Sequence, residues 1–359
     1  MILIVIGTRP EIIKMSPVIR ECSHQGLDYS VVHTGQHYSY AMDKIFFEQL
    51  DLSLPEYNLD VGSGTHGAQT AAILLGIENI LLQQPPGIVL VQGDTNTVCA
   101  GALAAVKLHI PVGHIEAGLR SFDRSMPEEI NRIIADHVSD QLYAPTETSR
   151  HNLLHEGIEA EKITVTGNTV VDAVQQNIRI AHQKVHPLEK LGLEPRNYFL
   201  VTAHRAENVD DLIPLVGILT GLKKISEHFE VPLVFPIHPR TQKMIHEFSL
   251  STKGIRVINP VGYLEFLVLE SMASLVLTDS GGVQEESCIL KVPCVTLRDN
   301  TEQPETIDAG SNMLAGTNAE KILEAADRMI DIPRIWNNPF GNGDAANRIM
   351  EVCKKKGTI

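Results

Sequence analysis

Residues 3–17 read LIVIGTRPEIIKMSP, and the fold turns on how they are read. Ile2 to Ile6 is a short apolar run of the kind a buried parallel strand uses, and Gly7 breaks it. A strand, a glycine turn and a helix is where α/β proteins hold anions, because the first helix amides point at the ligand. The turn lacks the Gly-x-Gly-x-x-Gly that lets a backbone press against a dinucleotide. It offers Gly7, Thr8, Arg9 and Pro10 instead, with Lys14 one turn into the helix. An anion bound here would be met by side-chain charge.

The same grammar continues along the chain. YSVVHTG, GIVLVQGD, IPVGHIEAG, QLYAP and KITVTGN precede the midpoint, and YFLVTAH, PLVFPIH, IRVINP, SLVLTDS and VPCVTL follow it, with helical patterns between. Strands alternating with helices of ten to fifteen residues predict parallel sheets, here two doubly wound halves of an α/β protein. After KITVTGN a polar helix follows, and Pro187, Gly192 and Pro195 interrupt before the next apolar strand. The boundary expected there divides the chain into residues 1–168 and 169–341. Each half places an acid at a strand's C-terminal end, Asp94 in VQGDTNT and Asp279 in LTDSGG, where open α/β sheets bind ligands.

Across 359 residues, 44 acidic against 30 basic side chains give a net charge of -14, which disfavours a general nucleic-acid binder. The five cysteines are odd in number and form no Cys-x-x-Cys pair, so neither a disulfide framework nor a zinc knuckle is indicated. No apolar run approaches membrane-spanning length and no charged leader precedes the first strand. The expectation is a soluble cytoplasmic protein that contacts no membrane and depends on no metal.

Reactive side chains gather at strand ends. In VQGDTNT, Asp94 is either a helix cap or a site acid, and Thr95 and Thr97 are placed to cap the same helix. HIEAGLRSFDRSMPEEINR carries His114, Glu116, Arg120, Glu128, Glu129 and Arg132. Its end has a structural reading: Ser125-x-x-Glu128 fits a capping box, and Glu128 with Arg132 fits an i,i+4 ion pair. Glu116, directly after an apolar strand, is better placed for a cleft. VTAHRAEN brings His204 and Arg205 to a strand end, an acid/base group beside an anion clamp. PIHPRT repeats the pattern with His238, which a turn held by Pro239 would also explain. In TDSGGVQEES, Ser280, Gly281 and Gly282 let helix amides approach an anion, and a glutamate one turn on can accept from ribose hydroxyls.

GTRPEIIKMSPVI, TGQH, QGDTNT, HIEAGLRS, PEEINR, VTGNTVVDA, VTAHR, DSGGVQEE and LRDNTEQPE, in this order, resemble the motif series of the non-hydrolysing UDP-N-acetylglucosamine 2-epimerases. The resemblance implies a GT-B type fold, two Rossmann-like domains with parallel sheets facing across a central cleft, and a C-terminal helix at about 342–359 joining the first domain. It implies interconversion of UDP-GlcNAc and UDP-ManNAc without a cofactor: anti elimination of UDP to 2-acetamidoglucal, then re-addition with protonation from the other face. Matched motif by motif, Asp94, Glu116, Glu128 and His204 fall on the family's catalytic residues. Arg9, Lys14, Arg205 and His238 fall on the diphosphate and its surroundings, Ser280, Gly281 and Gly282 on the facing helix start, Phe266 on the uracil-stacking position and Glu286 on the ribose. Arg298 and Glu302 lie in a further matching motif. The family also implies a homodimer.

Two departures carry weight. Ala206 stands where many bacterial members have a second arginine. Some members are activated by a second UDP-GlcNAc; Gln36 and His37 match that regulatory site, but NLDVGSGTHGAQT lacks its arginine, which counts against an activator requirement. The competing readings are a hydrolysing 2-epimerase that releases ManNAc and UDP, a GT-B glycosyltransferase, and a non-catalytic nucleotide-sugar sensor. A dense carboxylate set speaks against the transferase, which generally needs one base, and retention of all four catalytic positions speaks against the sensor.

Overall fold

The computed structural model describes residues 1–35 and 40–359, and of residues 40–43 the backbone alone. The regulatory candidates Gln36 and His37 therefore lie outside the described residues. The first strand, β1 (Ile2–Ile6), is buried at every position. Beside it lie β2 (Tyr29–His33), β3 (Tyr57–Asn58), β4 (Ile88–Gln92), β5 (Val112–Ile115), β6 (Gln141–Ala144) and β7 (Ile163–Val165). Their order is β3-β2-β1-β4-β5-β6-β7, and every pairing is parallel. The second sheet contains β8 (Phe199–Thr202), β9 (Leu233–Pro236), β10 (Arg256–Ile258), β11 (Leu275–Thr278), β12 (Cys294–Thr296) and β13 (Asn312–Leu314). It runs β10-β9-β8-β11-β12-β13, again all parallel.

The chain folds as two compact units, Met1–Gln176 with Phe340–Ile359, and Asn177–Pro339. The C-terminal helix Ala345–Lys355 belongs to the first, where it packs on the helix Arg9–His24. Asp172 anchors it, accepting from the amides of Ala345 and Ala346 at 3.2 and 3.1 Å. Both faces of the second sheet are covered, which is why its strands read as near-continuous apolar runs. Phe199, Val201, Leu233, Phe235, Leu275 and Leu277 build the core on one side. Tyr198, Leu200, Val234, Val276 and Cys294 build it on the other.

In each sheet the strand order reverses once, between β1 and β4 and between β8 and β11. The loops leaving these neighbours diverge, which opens a crevice at their C-terminal ends. The first crevice gathers Gly7, Thr8 and Asp94, and the second gathers His204, Arg205, Asp279 and Ser280. Gly7 is required by close approach. A Cβ there would collide with the side-chain oxygens of Thr97 and Thr34, hydroxyls that bond each other at 2.8 Å. Among the described residues, no helix is long and apolar enough to cross a membrane.

Candidate active site

The first helix start is not an open anion site. Glu11 turns back so that its Oε2 accepts from the amides of Gly7 at 2.5 Å and Thr8 at 2.9 Å, and its Oε1 accepts from the Thr95 hydroxyl at 2.5 Å. The amides that would cradle a phosphate already hold a carboxylate of the chain itself. Burial pushes Glu11 up to about 7, against the Thr95 hydroxyl and the two amides, which pull it down.

Glu116 follows β5 with a φ of 68°, the left-handed region that a residue with a Cβ adopts only when its surroundings impose it. Those surroundings are three donors. Lys14 Nζ lies 2.5 Å from Oε1, Asn168 Nδ2 donates to the same oxygen at 3.1 Å, and Gln92 Nε2 donates to Oε2. Lys14 is thus brought to a carboxylate rather than left to point away from the sheet.

Asp94 and Glu128 line one cavity of about 420 Å³ together with Ser63, His66, Gln69, Asn96 and Asn131. The two acids are held differently. Asp94 Oδ2 is 2.5 Å from Arg132, whose other arm lies 2.8 Å from Glu129 Oε2. Glu129 also accepts from the amides of Ser121 and Phe122, each at 3.0 Å; burial pushes it up, but those bonds and Arg132 leave it below the ordinary carboxylate range. Glu128 makes no hydrogen bond or ion pair among the described residues. Two local expectations are therefore corrected. The partner of Arg132 on its own helix is Glu129 at i−3, not Glu128, because Arg132 is drawn toward Asp94. The helix Pro127–Val138 is capped at Met126 without a side-chain bond, so no capping box forms, and Ser125 donates to Asp123 instead. Thr95 likewise heads its helix without capping it, its hydroxyl being committed to Glu11.

His114 and Arg120 take structural places. The buried His114 sets Nδ1 2.7 Å from Asp136 Oδ1 and Nε2 2.8 Å from the Gly93 carbonyl, fixing the loop that carries Asp94. Burial pushes this imidazole down, but the Asp136 charge overrides it and the net shift is upward. Arg120 spans Asp136 and Glu156, each at 2.7 Å.

In the second unit the organising residue is Asp279, which is fully buried. Its Oδ2 accepts from the amides of His204 and Arg205, both at 2.9 Å, and from Asn208 Nδ2 at 3.2 Å. Its Oδ1 lies 3.3 Å from His204 Nδ1, an ion-pair contact without an aligned hydrogen bond. The carboxylate charge there favours a proton on Nδ1, which leaves Nε2 as the nitrogen available for chemistry. His204 and His238, with ring centroids 5.6 Å apart, flank a cavity of about 230 Å³ completed by Phe266, Val261, Val283 and Pro260. His238 heads the helix Pro239–Glu247, its Nδ1 accepting from the Arg240 amide at 3.2 Å. Burial and the neighbouring His204 and Arg240 charges lower it.

Beside this cavity Ser280 heads the helix Gly281–Ile289, and a Cβ on Gly282 would meet nothing within 4 Å. Unlike the first helix start, this one is open to an anion. Arg298 grips Glu302 at 2.8 and 3.0 Å, and Glu302 Oε2 lies 3.6 Å from where a Gly281 Cβ would stand. Burial pushes Glu302 up, but the Arg298 bond and charge, with Arg205 adding to them, hold it low. Among the described residues, no group of three or more histidines, cysteines, aspartates or glutamates could hold a metal ion.

Asp94 and Glu128 thus share one cavity in the first unit, which Glu116 does not line; in the second, His204, His238 and Phe266 share another, with Ser280, Gly281, Gly282 and Glu286 on the adjoining helix and its start and Arg205 and Arg298 in neighbouring loops. Arg9 sits at the first helix start with its guanidinium 5.9 Å from the Phe46 ring centroid. The sequence does not single out Gln92 and Asn168, which hold Glu116. It suggests Arg132 only as a partner for Glu128, and Asp279 only by its strand-end position.

Comparison with known proteins follows the same lines. The family model described as UDP-N-acetylglucosamine 2-epimerase matches residues 20–354. A UDP-N-acetylglucosamine 2-epimerase of Methanocaldococcus jannaschii is 56% identical over 356 residues, 97% of each chain. A UDP-2,3-diacetamido-2,3-dideoxy-D-glucuronate 2-epimerase of Pseudomonas aeruginosa is 45% identical over 360 residues, 99% of each. The crystal structure of the M. jannaschii UDP-GlcNAc 2-epimerase in complex with UDP-GlcNAc and UDP superposes with a TM-score of 0.87 at 55% identity, covering 99% of both chains.

Proposed function

We propose, from the fact that this chain belongs to the UDP-N-acetylglucosamine 2-epimerase family, that it interconverts UDP-GlcNAc and UDP-ManNAc by the non-hydrolysing route. The observation that carries the reading is the pair of carboxylates on one cavity, Asp94 held by Arg132 and Glu128 without a partner among the described residues. Inverting C2 requires a proton to leave one face and another to arrive on the opposite face. Two acids with different surroundings suit the two roles.

In the first half-reaction Glu128 takes the C2 proton, the electron pair forms the C1–C2 double bond, and the C1–O bond breaks to release UDP. A proton that Asp94 takes up from solvent is delivered to the opposite face of C2 as the UDP oxygen re-forms the C1–O bond, and Glu128 returns its proton to solvent. Glu116, with both oxygens engaged by Lys14, Asn168 and Gln92, acts as a fixed charge and polar contact rather than as the base. The open helix start at Gly281 and Gly282, with Arg205, serves the diphosphate, and His204 serves the departing oxygen through Nε2–H. The Phe266 cavity takes the base and Glu286 the ribose. Bound hydroxyl and amide groups find partners in Gln69, Asn96 and Asn131. Among the described residues lining the carboxylate cavity there is no arginine or lysine, which favours a neutral hexosamine over a uronate whose own carboxylate would face Asp94 and Glu128. The reading includes a cytoplasmic homodimer, supported on the first point by five free, buried thiols.

Incubation with UDP-GlcNAc in heavy water, followed by proton NMR, tests the reading. UDP-ManNAc carrying deuterium at C2, with no free sugar, is expected. Free ManNAc and UDP would transfer the protein to the hydrolysing branch, and turnover of the diacetamido uronate alone would overturn the substrate assignment.

A further inference from the structure

One buried acid is used by none of these steps. Glu270, on the helix Tyr263–Met272, is fully buried in the apolar layer formed by Tyr198, Leu200, Leu269, Val276 and Cys294. Its Oε1 accepts from the Ser287 hydroxyl at 2.7 Å. Its Oε2 receives no donor, and the Glu286 carboxyl, next in sequence to Ser287, interacts with the Glu270 side chain. Two carboxylates in such contact must share a proton, since two like charges in an apolar layer repel strongly. The more deeply buried of the two is the one that stays neutral. Burial first, then the Glu286 charge, drives Glu270 well above the ordinary carboxylate range. Glu286 is only half-buried, on the helix Gly281–Ile289 one turn from its open start.

The geometry points to Glu270 as a positioning residue that donates its carboxyl proton to Glu286 and so fixes that carboxylate, ionised and oriented, to accept both hydroxyls of a nucleotide ribose. The inference rests on the reading of Glu286 as the ribose ligand. Ser287 Oγ holds Oε1 of Glu270 and leaves Oε2 as the oxygen to carry the proton. Phe266, four residues before Glu270 on the same helix, lines the neighbouring cavity. One helix thus carries the aromatic ring for the base and the acid that holds the ribose ligand.

Titration calorimetry of the full chain with UDP and with 2′,3′-dideoxy-UDP tests this, using Glu270→Gln, Glu270→Met and Glu270→Leu. Glutamine keeps both the acceptor for Ser287 and a donor for Glu286, so UDP binding within about twofold of wild type is expected. The apolar variants lose the donor but suit the apolar layer, and are expected to bind UDP about tenfold more weakly while binding dideoxy-UDP unchanged. With substrate, KM should rise by a similar factor at unchanged kcat. Equal weakening for both ligands in the apolar variants would show a merely structural role, and no weakening would remove the role altogether. If the wild type itself binds the two ligands equally, and Glu286→Ala changes neither, the ribose reading fails and the inference falls with it.

Discussion

Replacing Asp279 by asparagine is a test in which the structure dictates the outcome atom by atom. The Oδ2 position accepts three donors, the amides of His204 and Arg205 and the Asn208 side chain. An asparagine must place its carbonyl oxygen there, because its amide nitrogen would meet three N–H groups. The NH2 then falls at the Oδ1 position, 3.3 Å from His204 Nδ1, so a neutral group replaces the carboxylate charge beside that nitrogen. The form of the ring protonated on both nitrogens, which offers Nε2–H to the departing oxygen, thereby loses the carboxylate charge that stabilises it. An acid/base group deprived of its charge partner forfeits a contribution of about 10²- to 10⁴-fold. A fall of that size in kcat is expected for Asp279→Asn. Weaker bonds from the same donors to a neutral acceptor should lower stability by about 1–2 kcal/mol. The assay is the NMR epimerisation rate, with UDP affinity and the thermal midpoint measured on the same samples. A folded variant that keeps UDP binding and turns over within about threefold of wild type would refute the dyad, because general acid/base assistance is worth far more than that.

The remaining predictions concern the first unit. Glu128→Gln removes no ion pair or hydrogen bond among the described residues, so its thermal midpoint should stay at the wild-type value while kcat falls by about 10²- to 10⁴-fold. Asp94→Asn should lose a comparable factor and also unfold earlier, since Arg132 loses a carboxylate 2.5 Å away; a Glu128→Gln enzyme of normal rate would displace Glu128 from the chemistry. Glu11→Gln should flatten the pH dependence of stability. The folded pKa, raised from 4.5 to about 7, means the native state holds the proton more tightly than the unfolded chain. That stabilisation is complete below pH 4.5 and is lost as pH rises through 7, on the order of 3 kcal/mol in all. Glutamine suits the site, with its oxygen accepting from Gly7 and Thr8 and its amide facing Thr95. Denaturant titrations at several pH values should show a slope in the wild type that the variant lacks; equal slopes would place the pH dependence elsewhere.

The parallel sheets were legible because burial on both faces writes itself as uninterrupted apolar runs, as in Ile2–Ile6 and Leu275–Thr278. The strand-end acids were legible for the same reason, since a carboxylate directly after such a run has little to do in a core. What the chain did not reveal was which acid serves which neighbour. Arg132 has Glu128, Glu129 and Asp94 within its reach, and helical spacing alone favours the wrong one; the deciding contact comes from a loop 38 residues away in sequence. The first helix start shows the same limit. Strand, glycine and helix announce an anion site, but Glu11, which the spacing equally allows as a helix residue of no special note, fills it from within.

Asp94 and Asp279 carry this furthest. Both end the strand beside the switch point of their own sheet, both precede a helix, and the sequence around each reads alike. The structure separates them by what stands at the carboxylate. Asp279 is enclosed by two backbone amides and an asparagine, donors that cannot move or dissociate, so it can only orient the histidine that contacts it. Asp94 meets a single arginine shared with Glu129 and lines the cavity that Glu128 also lines. Equivalent positions in two similar halves have thus been given a supporting role in one and a chemical role in the other. The difference lies in the loops: the loop after β8 supplies the amides that enclose Asp279, whereas the loop after β1 commits its amides to Glu11. Glu11→Ala, which frees those amides, should therefore draw Asp94 away from Arg132 in a crystal structure of the variant, and Glu11→Gln, which keeps them occupied, should not. An Asp94–Arg132 pair unchanged in both would mean that something other than the committed amides assigns Asp94 its role.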